Sequence, residues 1–289
     1  MVGYQVISDP LGGVEARPGS GHFAIFDHGA HAWAWQPDGQ RPVLWQSRQS
    51  AFEPGRAIRG GVPVVFPWFG TGPAGDRRPA HGFGRLQPWT RRTVEDTLDA
   101  DGRLVVDHVL DSLDLPDQPD FPFNFSARLR ATFTPDYFGI DLGVVNADDR
   151  PFTFEAALHT YLAVSDVRQV VLRGLDGVTY LDRMAAGPPE PLVQDGDLTI
   201  TGETDRIYAE HGAVVLVDPG WGRALAVVDT GAANLVVWNP WVAKAASMAD
   251  FGDDEWTGMI CLEAANIGEH AVTVQPGESH LLSQRITLG

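Results

Sequence analysis

Between residues 125 and 144 the chain alternates apolar and polar side chains with a period of two. Phe125, Ala127, Leu129, Ala131 and Phe133 fall on one side of an extended segment, and Ser126, Arg128, Arg130, Thr132 and Thr134 on the other. After Pro135-Asp136 the alternation resumes through Phe138, Ile140, Leu142 and Val144. A helix would spread these apolar residues around its circumference, whereas a strand keeps them on one buried face. The pair reads as a β-hairpin. Shorter runs over 104–110, 169–172, 213–217, 225–228, 235–238, 259–262, 271–274 and 281–288 read as further strands, with a tight turn at Asp218-Pro219-Gly220. No segment has the spacing and caps of a long amphipathic helix, and the 32 Gly and 21 Pro fall between short strands as turn residues. The expected fold is all-β, a large antiparallel β-sandwich.

The 289 residues exceed a typical domain of about 150, but β-sandwiches often pass 200 residues as one unit, so residues 1–289 are expected to form a single domain. Segments 70–79 and 185–197 read as loop excursions from it. With 38 acidic against 21 basic residues and a net charge of -17, the chain is a poor ligand for nucleic acid or an anionic membrane. An anionic small molecule would have to be met by a few local arginines. A single cysteine, Cys261, excludes an internal disulfide and a Cys-rich metal site. The amino terminus, Met1-Val2-Gly3-Tyr4-Gln5, has neither the basic start nor the apolar run of a signal peptide, and no stretch approaches the roughly 18 apolar residues of a membrane span. A cytoplasmic monomer is expected.

Against this background some polar residues stand out. Glu263 lies in Met259-Ile260-Cys261-Leu262-Glu263-Ala264-Ala265, where alternation puts it on the face of Met259, Cys261 and Ala265. Desolvation there would raise its pKa and suit a general base, against the alternative of a strand-end carboxylate in water. His159 follows an apolar strand in Ala156-Ala157-Leu158-His159-Thr160-Tyr161, and such a histidine is more often structural than catalytic. His81, in Ala80-His81-Gly82-Phe83-Gly84-Arg85, has glycine neighbours that permit close backbone approach to a ligand. Ile58-Arg59-Gly60-Gly61 leads into a stiff apolar run ending at Phe69-Gly70, a wall with one cation at its rim or a surface arginine before a buried edge strand. In Trp238-Asn239-Pro240-Trp241 the indoles could pack on sugar C–H faces and the amide could serve hydroxyls, core packing being the competing use.

Six segments in order carry a family resemblance: Arg59-Gly60-Gly61 to Gly70, His81 to Arg85, Leu158 to Tyr161, Gly202 to Tyr208, Trp238 to Lys244, and Asp250 to Glu255 with Glu263. Together they resemble the hexose-6-phosphate mutarotases, the glucose-6-phosphate 1-epimerase branch of the aldose 1-epimerase or galactose mutarotase-like superfamily. The resemblance implies a β-supersandwich, no cofactor and no metal, and interconversion of the anomers of a sugar phosphate. It implies His159 as general acid and Glu263 as general base, with His81 and Asp205 on the sugar hydroxyls and Arg59 and Arg85 on the phosphate. One departure is Ala264-Ala265-Asn266, where Pro-Gly-Asn or similar is expected, which would loosen a loop after the glutamate.

The chemistry suits these residue types. Opening a pyranose needs a base for the anomeric hydroxyl and an acid for the ring oxygen, both working near neutral pH. Three rivals use the same features: mutarotation of free aldoses, which leaves Arg59 and Arg85 without an anion; a glycoside hydrolase pairing Glu263 with Asp205; and a carbohydrate-binding module without chemistry.

Overall fold

The computed structural model describes residues 3–187, 190–209 and 211–289; Met1 and Val2, in the amino-terminal expectation above, lie outside them. The hairpin read from the sequence is present as Phe125–Phe133 paired with Tyr137–Asn146. Burial along the first strand alternates as the side chains do. Thr134 closes the turn, its Oγ1 accepting from the backbone N–H of Tyr137 at 2.9 Å. The hairpin belongs to a nine-stranded antiparallel sheet. Ser279–Leu288 flanks it on one side and Arg103–Asp111, then Thr90–Thr97, on the other. The Thr90–Thr97 edge carries Arg91, Arg92, Glu95 and Asp96, charges that discourage another chain from adding to it.

The second large sheet has eight strands. Its spine runs Pro191–Val193, Thr179–Asp182, Thr204–Ala209, Asn234–Asn239 and Met259–Asn266. Ala156–Leu158 and Tyr161–Ala163 both pair with Met259–Asn266, and Val64–Val65 closes the end. Met259–Asn266 is buried at every position, unlike the one-sided hairpin, because both faces of this strand are covered. Toward the nine-stranded sheet, Gln284 donates from Nε2 to the Leu262 carbonyl at 3.1 Å. Apolar residues of both sheets, among them Leu158, Leu235, Leu262, Phe133, Leu142 and Ile286, join one buried cluster.

Several parts of the fold depart from the sequence reading, the unexpected strands Thr90–Thr97, Thr179–Asp182 and Thr204–Ala209 among them. A four-stranded sheet over Tyr4–Ile7, Gly13–Ala16, His22–Phe26 and Ala32–Gln36 was not expected. Its strands are four or five residues long, and a register shift between Ala24 and Ile25 breaks the period. Segment 185–197 is not all loop: Pro191–Val193 adds to Thr179–Asp182, while residues 188–189 lie outside the described part. The Asp218 turn holds as read, its carboxylate accepting from the N–H groups of Gly220 and Trp221. The longest helix among the described residues is Trp241–Ala246, and none is long and apolar enough to cross a membrane.

Candidate active site

Strand register places the first pair of groups. Leu158 faces Ala264 and Tyr161 faces Cys261, and the same count between them puts His159 opposite Glu263. The position is a non-hydrogen-bonded one of the antiparallel register: next to it Leu262 donates to the Thr160 carbonyl, while the N–H of His159 points to the other neighbour, the Pro63 carbonyl, at 3.1 Å. Thr160 and Leu262 address the nine-stranded sheet through Gln284, so His159 and Glu263 point to the other face. His159 Nε2 lies 3.3 Å from Glu263 Oε1. The histidine ring stacks on Tyr161 with centroids 4.8 Å apart and meets the edge of Trp238 at 6.0 Å.

Neighbouring strands extend this polar face by the same rule. Trp238 lies opposite Cys261, Asp205 opposite Trp238, and Arg183, one residue beyond the Thr179–Asp182 strand, beside Asp205. Arg183 Nη1 stands 3.6 Å from Asp205 Oδ2, and its guanidinium covers the Phe69 ring. Above the face are two loops. Arg59 reaches down to Tyr161, donating to its hydroxyl at 2.9 Å, and is gripped from the side by Asp250 through Nε and Nη2 at 3.1–3.3 Å. His81 packs edge-on against Phe69 and lies 5.8 Å from the His159 ring, centroid to centroid. Arg85 donates to the Ala80 carbonyl at 2.8 Å, while its Nε has no partner. A cavity of about 520 Å³ lined by Phe69, Gly70, Arg183, Ile207 and Ile267 among others meets this arrangement at Phe69 and Arg183, and neither His159 nor Glu263 lines it.

The electrostatics follow from burial and from these cations. Burial raises the Glu263 pKa well above the usual carboxylate range, and nearby Asp205 adds to the rise. Burial pushes His159 well down, with His81, Arg59 and Arg85 opposing its charged form. His81 falls to about 3, from burial and then Arg85, Arg59 and Arg183. Burial lowers Arg85 to about 10, with Arg59 adding to the fall. Arg59 moves up despite its burial, because Tyr161 and Asp250 outweigh that cost. Asp205 is raised by desolvation. The face thus has a cationic rim over a buried acid and imidazole, with one of the two rim arginines lacking a carboxylate partner.

All six residues singled out from the sequence gather here: His159, Glu263, Asp205, His81, Arg59 and Arg85. Three local readings change. Asn239 does not serve a ligand: its Nδ2 donates to the buried carbonyls of Trp256 and Met259, and its Oδ1 accepts from Trp241 N–H. Trp241 packs on Trp256. Ala264, Ala265 and Asn266 form no loosened loop but complete the Met259–Asn266 strand, and Asn266 ties it to the Gly231 carbonyl. Gly82 makes its close approach to the protein itself, since a Cβ there would stand 2.1 Å from the Phe66 carbonyl oxygen. Gly61 likewise lets the Arg59 loop seat on Ala32, whose carbonyl oxygen leaves 2.3 Å for a Cβ. The sequence reading missed the roles of Asp250, Tyr161 and Arg183 in this arrangement. Tyr161 could have been found from its spacing to His159, since residues two apart on a strand share a face.

Comparison with known proteins gives a consistent result. A family profile described as aldose 1-epimerase matches residues 14–287. A protein of Escherichia coli (strain K12) named "Putative glucose-6-phosphate 1-epimerase" is 35% identical over 255 residues, covering 88% of this chain and 82% of its own. One of the same name from Cenchrus ciliaris is 33% identical over 264 residues, covering 88% and 77%. The crystal structure of "a putative mutarotase (YeaD)" from Salmonella typhimurium superposes with a TM-score of 0.85 at 28% identity, covering 98% of this chain and 92% of the other.

Proposed function

The chain belongs to the aldose 1-epimerase family of isomerases, and within it we propose that it interconverts the α and β anomers of a hexose 6-phosphate, D-glucose 6-phosphate being the natural first substrate. The observation that carries this reading is the placement of Arg59 and Arg85 close enough to oppose charge on His159, in a chain of net charge -17. Cations held against the overall field beside an acid/base pair suit a sugar that carries its own anion. The names of the Escherichia coli and Cenchrus ciliaris relatives point to the same substrate.

The 3.3 Å pair holds one proton, which burial of both groups keeps on Glu263 in the free protein. In the proposed reaction it passes to His159, and Glu263, then a carboxylate, takes the proton of the anomeric hydroxyl while His159, as imidazolium, gives one to the ring oxygen. The C1–O5 bond breaks as the C1=O1 bond forms. Rotation about C1–C2 turns the other face of the aldehyde to the 5-hydroxyl, and reclosure runs with the two groups exchanging roles. O1 and O5 share one carbon, so acid and base must stand side by side, as a 3.3 Å pair does. Asp205 and His81 are assigned to the sugar hydroxyls, and Arg85 with Arg59 to the phosphate.

One observation favours a second reading, mutarotation of free aldoses: the Arg59 charge already has Asp250 as its partner. Anomer-exchange NMR on glucose 6-phosphate and glucose, side by side, separates the two. Faster exchange of the phosphate is expected; faster exchange of glucose would make the protein a plain aldose epimerase.

A further inference from the structure

Cys261 has no part in the proposed chemistry, yet it sits on the same face and two residues from Glu263. A ring nitrogen of His159, Cys261 Sγ and a carboxylate oxygen of Glu263 all lie within 4.8 Å of one another, and all three residues are buried. Among the described residues no other three His, Cys, Asp or Glu side chains are so placed. Glu263 Oε2 and His159 Nδ1 are buried without hydrogen-bond partners, an arrangement that leaves coordinating capacity unused. We propose that His159, Cys261 and Glu263 form a binding site for a thiophilic divalent cation such as Zn²⁺, and that filling it shuts the enzyme off.

The donor set argues for the class of ion. One imidazole, one thiolate and one carboxylate make a mixed N, S, O set that suits Zn²⁺ and its softer neighbours. Mg²⁺ and Ca²⁺ need several more oxygen donors than this site supplies. Donors within 4.8 Å of one another place a central ion no more than about 2.8 Å from each, against the roughly 2.0–2.3 Å of zinc bonds, so side-chain movement of at most about 0.5–0.8 Å closes the site. Binding converts Cys–SH to a metal-bound thiolate and the Glu263 carboxyl, protonated in the buried free site, to a carboxylate, and releases both protons to solvent. The thiolate and carboxylate together cancel the charge of the dication, so the filled site brings no net charge into a buried region already bordered by Arg59 and Arg85. A fourth position is left for water.

The inhibitory part rests on the mutarotase reading, because the ion would occupy the lone pairs that both proton transfers use. The binding part does not. Titrating the metal-free protein with Co²⁺ should produce a sulfur-to-cobalt charge-transfer band, and since Cys261 is the only cysteine that band reports this site alone. Zn²⁺ should abolish the band by displacing Co²⁺. Glu263→Gln should weaken Co²⁺ binding at least 10-fold. Zn²⁺ should inhibit anomer exchange reversibly, with full recovery on chelation, whereas Cys261→Ser and Cys261→Ala should keep the basal rate and lose Zn²⁺ sensitivity at least 10-fold. Absence of the band in the parent, or equal Zn²⁺ sensitivity of parent and both cysteine variants, overturns the site. A cobalt band in a protein that exchanges no sugar would uphold the site and refute the reaction.

Discussion

His159 and Glu263 face each other across a non-hydrogen-bonded position of an antiparallel register, with Nε2 and Oε1 3.3 Å apart. At such a position the backbone N–H points away from the partner strand, and that of His159 bonds the Pro63 carbonyl in the loop that carries Arg59. The acid/base pair and the cationic loop are therefore fixed to one another through the backbone.

If the pair carries the proton transfers, Glu263→Gln removes the acceptor and His159→Ala the donor with little change of fold. Each should lower kcat for glucose 6-phosphate by about 10²-fold or more, with a smaller effect on KM. The double variant should be scarcely worse than either single one, because the two act in the same step. Full exchange activity in either single variant, measured by NMR, would remove the mechanism.

The Asp250 grip on Arg59 makes the two arginines unequal. Arg85→Ala should raise KM for glucose 6-phosphate by roughly 10-fold, the loss of one charge-assisted hydrogen bond. Arg59→Ala should do more, because it also leaves the Asp250 carboxylate facing the phosphate. Asp250→Asn should lower KM by freeing the Arg59 charge. None of these changes should much alter any activity on free glucose; equal effects on both sugars would make the arginines structural.

Arg59 and Arg85 help hold the His159 pKa down, so an anion bound between them should let it rise. In the free protein His159 should titrate well below 6.5, because burial and neighbouring cations both disfavour imidazolium. Saturating sulfate or phosphate screens those cations and should move the titration upward; Arg85→Ala should blunt the movement. Histidine side-chain NMR across pH reads this directly, and a titration indifferent to sulfate would separate the arginines from the acid. The substrate phosphate would then help to charge the group that protonates the ring oxygen.

Gln284 clamps the backs of both strands, bonding Thr160 Oγ1, the Leu262 carbonyl and Asp229 Oδ1. Gln284→Leu should cost roughly 1–3 kcal/mol for each buried group left unpaired. Asp229, already raised to about 6 mainly by burial, would lose a hydrogen bond that favours its charged form. A misplaced acid/base pair should also lower kcat about 10-fold while KM for the phosphate stays close to the parent value. Denaturant melts and steady-state exchange rates measure the two effects separately. An unchanged kcat in a folded, destabilised variant would confine Gln284 to stability.

Much of this was legible in order of residues alone. Alternation from Phe125 to Val144 determined a hairpin, because side-chain period is set by backbone geometry within a few residues. An acidic residue inside the apolar run at Glu263 marked a desolvated carboxylate for the same reason. The family likeness of six segments then pointed to their common use. Strand runs of three to five residues at the amino terminus and at Pro191–Val193 escaped notice, since so short a run holds too few alternations to stand above chance.

What the order of residues left open was pairing. Asp250 holds Arg59 from 191 positions away, Gln284 reaches Thr160 from 124, and Cys261 joins His159 only because two strands align in register. Asn239, which reads as a sugar ligand beside two tryptophans, proves to be spent on buried carbonyls. Local sequence determined which side chains leave a strand on the same face, because that depends on neighbouring dihedrals. Which strands lie side by side, and so which charge each arginine meets, was decided by packing of the two sheets, where burial and hydrogen-bond satisfaction act between residues far apart in the chain.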